Sequence, residues 1–250
     1  MELVIVGCSG SASGPDAAAS SYLVRHDGFV LALDLGPGAF GALWKLLDPR
    51  EVDAIGLSHL HPDHCLDLCA FNVAATYSPT APWRRIPVHG PANTAERMQR
   101  ADQPHPDDRD EAWNVDFVTW RPSQRIGPFE VTVVRAPHTT EAYSIRLDVP
   151  GAALVYSGDT GPHQGLVDLA RGADVLLSEA ALMHRDDLPL GLHLSGRWAA
   201  EHAEAAGVHT LILTHVPPWH DPAAVEAEAR PHFSGRLIRA RPGLVVAVGG

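Results

Sequence analysis

Ser58-His59-Leu60-His61-Pro62-Asp63-His64 is the stretch on which the reading of this chain turns. Three histidines and an aspartate fall within residues 59–64, directly after the apolar run Val52-Asp53-Ala54-Ile55-Gly56-Leu57. A strand ending there delivers the cluster to the edge of a sheet. Imidazole and carboxylate are the ligands that suit zinc and similar divalent metals. Four such groups packed this closely need a counter-charge, whereas a metal-free surface loop has no need of the spacing.

The same grammar recurs downstream. The strand-like run Glu130-Val131-Thr132-Val133-Val134-Arg135 leads to Ala136-Pro137-His138. Ala153-Leu154-Val155-Tyr156 runs into Ser157-Gly158-Asp159-Thr160-Gly161, and Thr210-Leu211-Ile212-Leu213-Thr214 ends at His215. Taken singly, His138 or His215 reads as an ordinary surface or core histidine. Taken together, strand ends sharing one sheet edge bring five histidines and two aspartates to one place, enough for two metals.

Upstream of the cluster, residues 3–6 read as a buried strand running into the small-residue loop Gly7 to Pro15. That loop offers free N–H groups to an anion or a pocket wall, or is a plain turn. It lacks the lysine and following helix of a P-loop, which excludes nucleoside-triphosphate binding there. Residues 21–25 and 29–33 predict a hairpin around Asp27-Gly28. Asp34 follows at a strand end, placed either to orient a metal ligand or to cap the turn.

Further strands are expected at 86–89, 115–120, 143–147 (paired with 153–156), 175–178 and 244–248. Helices are expected at 39–47, with Phe40, Leu43, Trp44 and Leu47 on one face, and at 65–74, its start carrying Asp63 and His64. Others fall at 91–101, 163–171, 198–206 with Ser195 as cap, and 222–229. Residues 102–111 are polar, acidic and proline-bearing, and predict an exposed loop or lid, in which His105 is given no role. Cys65 abuts the histidine cluster and either tunes it or, with Cys69 one helical turn on, fills the core.

Composition narrows the function classes. Hydrophobic residues make up 45% of the 250, enough for a sizeable core in one α/β domain spanning 1–250. The 30 acidic against 19 basic residues leave a net charge of −11, which disfavours a large nucleic-acid face. Three cysteines, Cys8, Cys65 and Cys69, and an N-terminus without a basic lead predict reduced thiols and a cytoplasmic home. No apolar run approaches the length of a membrane span.

His59-Leu60-His61-Pro62-Asp63-His64 fits the HxHxDH signature of the metallo-β-lactamase-fold superfamily. His138, Asp159 in its Ser-Gly-Asp-Thr setting, and His215 after Leu213-Thr214 resemble the later motifs of that superfamily, in order, and Asp34 resembles its first aspartate. The resemblance covers essentially the whole chain. It implies a four-layer αβ/βα sandwich with a dinuclear site at one edge, holding zinc, or manganese. By that match His59, His61 and His138 bind one ion, Asp63, His64 and His215 the other, and Asp159 bridges both. Asp63 and Asp159 would then hold the attacking water.

Within the superfamily, Glu179-Ala180-Ala181 and His193-Leu194-Ser195 resemble the ribonuclease Z branch. That resemblance implies His193 as the acid protonating the leaving oxygen, Glu179 as its support, and a homodimer. Read without it, Glu179 is an ion-pair partner near a strand end and His193 a residue before the Ser195 cap. Two departures count against tRNA. Only residues 139–158 separate His138 from Asp159, so the arm that grips tRNA in that branch is absent, and the net charge is acidic. The stretches Gly7-Cys8-Ser9-Gly10-Ser11, Tyr156-Ser157-Gly158-Asp159-Thr160-Gly161 and Leu213-Thr214-His215-Val216-Pro217-Pro218-Trp219 are similar to the short actinobacterial proteins of this fold described as atypical class II cyclic-nucleotide phosphodiesterases. The expected substrate is therefore a small phosphodiester such as 3′,5′-cyclic AMP.

The alternatives are a ribonuclease Z-like tRNA 3′-processing endonuclease and a small-ester or lactone hydrolase of the same fold. Di-iron oxidoreductases usually replace a cluster histidine with glutamate, and none is replaced here. Non-catalytic relatives usually lose ligands, and all seven stand.

Overall fold

The computed structural model describes residues 1–103 and 113–249. Most of the loop expected over 102–111, with His105, lies outside them. Two seven-stranded mixed sheets face each other. In the first, β1 (Glu2–Gly7), β2 (Ser21–His26), β3 (Phe29–Leu33), β4 (Ala54–Gly56), β5 (Ile86–Gly90) and β6 (Val115–Thr119) lie side by side in chain order. In the second, β7 (Ser123–Ile126), β8 (Phe129–Ala136), β9 (Ala142–Val149), β10 (Ala152–Tyr156), β11 (Val175–Glu179), β12 (Thr210–Thr214) and β13 (Arg236–Arg239) do the same. β14 (Val245–Ala247) returns to pair with β1. Pairing is antiparallel from β1 to β3 and parallel from β3 to β6; it is antiparallel from β7 to β10 and parallel from β10 to β13.

Both faces of each sheet are covered, which explains why the central strands read as continuous apolar runs. Leu3, Ile5, Tyr22, Leu31 and Leu33 point inward and meet Phe129, Ile145, Leu147, Tyr156 and Leu177 of the other sheet. Val4, Val6, Leu23 and Ile55 point outward, against Leu43 of α1 (Ala39–Leu43), the helix α3 (Asp67–Tyr77) and Met98 of α4 (Thr94–Asp102). The short α2 (Pro62–Cys65) precedes α3. On the far side Val155, Leu176, Leu211 and Leu213 pack on α5 (Gln164–Ala170), α6 (Gly196–Ala206) and α7 (Pro222–Ala229). The layers are α, β, β, α, the metallo-β-lactamase fold.

Several boundaries differ from expectation, each for a local reason. The helix expected over 39–47 stops at Leu43, because Lys45 and Leu46 donate to carbonyls three residues back and tighten the last turn. Trp44 consequently faces solvent, 52% exposed, rather than the core. The helix expected over 65–74 is two helices broken at Leu66. Pro91 lies outside α4, its carbonyl accepting from both the N–H and the hydroxyl of Thr94. β7 and β13 went unpredicted. They are the outermost strands of the second sheet, and their polar or arginine-ended sequences carry the marks of edge strands rather than an apolar alternation. The 21–33 hairpin, the 143–156 pairing and the Ser195 cap, which accepts from the N–H of Trp198, stand as expected.

Candidate metal centre

All the predicted ligand positions lie past the carboxyl ends of strands at one edge of the two-sheet stack. The segment after β4 carries His59 and His61, and α2 carries Asp63 and His64 in its single turn. Pro62 at the first helical position and His61 as N-cap start that turn at once. Gly36 lets the Asp63 carbonyl approach so closely that a Cβ there would sit 1.9 Å from it. Opposite, His138 follows β8, Asp159 follows β10, and His215 directly follows β12 in a left-handed conformation, φ 55°. The expected small-residue loop reaches this point. A Cβ on Gly10 would lie 2.2 Å from the His215 carbonyl, and the Ser11 N–H points at His215 Nε2 (3.4 Å).

The side chains converge as two clusters. In one, His61 Nδ1 lies 3.1 Å from His59 Nε2 and 3.0 Å from His138 Nε2, with Asp159 Oδ2 3.6 Å from His59. In the other, His64 Nε2 and His215 Nε2 are 3.0 Å apart, Asp63 Oδ2 is 3.1 Å from His215, and Asp159 Oδ1 is 3.2 Å from His64. Asp159 thus presents one oxygen to each cluster. Within each group the potential ligand atoms lie within 4.8 Å of one another.

This donor set fits divalent cations. His138 Nδ1 lies 2.8 Å from the Leu192 carbonyl, which only accepts, so its proton sits on Nδ1 and Nε2 turns a lone pair into the cluster. Asp34 Oδ2 plays the same part toward His64 Nδ1 at 2.7 Å. Asp159 Oδ1 is buried and makes no hydrogen bond among the described residues. Lone pairs facing one another in a buried site call for positive charge. Burial pushes His59, His61 and His138 down, toward the neutral form that ligates. Burial works the other way on Asp159, yet the imidazoles of His215, His64 and His59 hold it well below the usual carboxylate range. His64, although burial opposes its charge, is held well above its ordinary value by Asp159 and Asp34, a further sign of the cluster's appetite for a cation.

Around the clusters, Asp34 orients His64 rather than capping a turn. It also accepts from the Ser58 N–H (2.7 Å), the Ser58 hydroxyl (2.8 Å) and the Tyr156 hydroxyl (2.6 Å). Glu179, the fully buried last residue of β11, faces His193 Nδ1 at 3.1 Å with both oxygens and accepts the Thr160 N–H at 2.6 Å. His193 Nδ1 stands 3.7 Å from Asp159 Oδ2. Burial opposes a charge on His193, but the Glu179 and Asp159 carboxylates outweigh it and push the imidazole up to about 9. The Cys65 thiol donates to the His61 carbonyl (3.3 Å) and is buried in the core, touching the ligand loop only through its backbone. Ser58, Tyr156 and the Leu192 carbonyl were not singled out from sequence. A buried tyrosine hydroxyl must find a partner, and that alone marked Tyr156.

Residues 33–216 match the family described as beta-lactamase superfamily domain. The chain belongs to that superfamily. An uncharacterized protein of Mycobacterium leprae is 42% identical over 240 residues, 94% of this chain and 84% of that one. A ribonuclease Z of Mycolicibacterium gilvum is 31% identical over 253 residues, 89% of this chain and 86% of the relative. The crystal structure of the metallo-beta-lactamase fold protein YhfI from Bacillus subtilis superposes with a TM-score of 0.87 at 24% identity, covering 98% of each chain. This superfamily member is a metallo-hydrolase, with a histidine and aspartate cluster suited to divalent metal. No helix among the described residues is long and apolar enough to cross a membrane.

Proposed function

We propose that this metallo-hydrolase cleaves the phosphodiester bond of a small cyclic nucleotide, 3′,5′-cyclic AMP or a close relative, at a dinuclear centre. His59, His61 and His138 would hold one ion and Asp63, His64 and His215 the other, with Asp159 shared between them; zinc suits this nitrogen-rich set, and manganese is the second choice. The bound ions would supply Lewis-acid charge for the phosphoryl group and lower the pKa of the attacking water. Asp63 presents a carboxylate oxygen into the site and orients that water. His193 donates the proton to the departing O3′, while Glu179 keeps its imidazole charged and turned toward the phosphate.

The observation that carries this reading is the His193–Glu179 pair, 3.1 Å apart and braced against Asp159. A proton donor set beside two cation-seeking clusters suits an anionic substrate whose leaving group is an alkoxide. Substrate size follows from the interval between His138 and Asp159. The hairpin of β9 and β10 fills it, turning at Pro150-Gly151, and leaves no residues within that interval for an arm that grips a polynucleotide. The ribonuclease Z relative supports tRNA 3′-end processing as the second reading.

Turnover of 3′,5′-cyclic AMP against a tRNA precursor decides between them, with zinc or manganese supplied and EDTA as control. Chelator-sensitive release of 5′-AMP with the precursor intact is the expected outcome. Cleavage of the precursor alone would overturn the small-substrate reading. Full turnover by His193→Ala on every phosphodiester tried would remove the acid role.

A further inference from the structure

Two tyrosines outside the ligand set cross the gap between the sheets directly beneath the clusters. Tyr156 closes β10 in the second sheet, and its hydroxyl donates to Asp34, which directly follows β3 in the first (2.6 Å). Tyr22 lies on β2 in the first sheet, and its hydroxyl hydrogen-bonds Thr214 Oγ1, the last residue of β12 in the second (2.9 Å). Their rings meet with centroids 5.1 Å apart at 57°, and both side chains are completely buried.

Each crossing ends next to a histidine of the same cluster. Asp34 Oδ2 holds His64 Nδ1, and Thr214 precedes His215. His64 and His215 are the pair whose Nε2 atoms face each other at 3.0 Å. That cluster takes Asp63 and His64 from the first sheet's side and Asp159 and His215 from the second. Its geometry therefore depends on how far apart the sheets stand at this edge. The His59–His61–His138 cluster also spans both sheets, but its tie to Asp34 is one hydrogen bond longer, through the Ser58 hydroxyl that bridges Asp34 Oδ2 (2.8 Å) and His59 Nδ1 (3.1 Å). His59 Nδ1 leans on Ser58 Oγ and His138 Nδ1 on the Leu192 carbonyl.

We infer that Tyr156 and Tyr22 are positioning residues that set the spacing of the sheets at the Asp63–His64–Asp159–His215 cluster and so tune the metal affinity of that cluster more than that of its neighbour. The inference rests on the dinuclear reading above. The carboxylate partner of a metal-binding imidazole, as Asp34 is to His64, is worth about 10–100-fold in metal affinity, and a hydroxyl that fixes that partner is worth a part of it. Tyr156 has the larger share, because it acts on the carboxylate that touches His64. Tyr22 reaches its histidine only through the chain.

The test titrates zinc into metal-free wild type, Tyr156→Phe and Tyr22→Phe against a chromophoric chelator, and repeats the titration in a His138→Ala background, where only the Asp63–His64–Asp159–His215 cluster keeps its full set. Wild type should bind two ions. Tyr156→Phe should weaken one of them more than the other, by up to about tenfold, Tyr22→Phe by less, and the weakening should recur with His138→Ala. Wild type binding fewer than two ions overturns the dinuclear reading and this inference with it. Two ions bound by wild type, with Tyr156→Phe indistinguishable from it or weakened equally at both, overturns this inference alone. A lower melting temperature of the metal-free variants with both affinities unmoved assigns the tyrosines to packing and overturns it too.

Discussion

The two clusters share Asp159 but differ in how they meet solvent. In one cluster His64 and His215 are buried and Asp63 nearly so; in the other His59 and the His138 side chain are buried too, and His61 is the ligand position left partly covered. His193 borders both, its ring 5.2 Å from that of His138 and 5.7 Å from that of His215. The His64–His215 cluster is backed directly by Asp34 and the tyrosine pair, whereas Ser58 stands between Asp34 and His59 of the other. The His59–His61–His138 cluster thus has the more exposed imidazole, His61, and the His64–His215 cluster the more direct support. The lesson is that a site assembled from near-identical ligands acquires its asymmetry from what stands behind each imidazole.

The predictions break or sharpen that contrast. Asp159→Ala should erase it, since both clusters lose their common carboxylate; turnover should fall by more than about 10³-fold and bound metal should be lost by elemental analysis. His193→Ala should leave both clusters filled yet lower kcat by about 10²–10⁴-fold, and Glu179→Gln should fall short of that. If His193→Ala loses metal as well, the residue belongs to a cluster. Stopped chelation with EDTA should be biphasic, the cluster that holds His61 emptying before the other; a single phase would mean that the exposure of His61 sets no difference between them.

A smaller effect separates the site histidines from those elsewhere. Burial pushes His89 and His163 down to about 4. Unfolded histidines titrate near about 6.5, so the unfolded chain binds more protons between those values. The stability these residues contribute is present above about pH 6.5 and is lost as pH falls toward 4. Melting of the metal-free protein across that window should show the loss, and the His89→Gln/His163→Gln variant should lose less than wild type, the remainder coming from His59, His61 and His138, which burial also pushes down.

Legibility tracked distance along the chain. Residues 59–64 announced themselves because their spacing serves no other purpose. His138, Asp159 and His215 were legible because each follows an apolar run, and strands deliver their ends to a common edge. Glu179 and His193 came from resemblance, and their 3.1 Å contact depends on β11 and the segment before α6 folding back together. Tyr156 read as one more core residue of an apolar strand. The edge strands β7 and β13 carried no alternation to read, because each has one neighbour and an open side.

By itself, then, the sequence marked the strand ends where the histidines and aspartates gather, because hydrophobic periodicity and residue spacing are local properties of the chain, and the class of fold followed from the resemblance those motifs carry. Only the tertiary structure decided which oxygen of Asp159 faces which cluster, which cluster keeps the more exposed imidazole, and that two tyrosines tie the sheets beneath the other. Those are contacts between residues such as Asp34 and Tyr156, far apart in sequence, and packing of two sheets across a shared core is what brings them within hydrogen-bond reach.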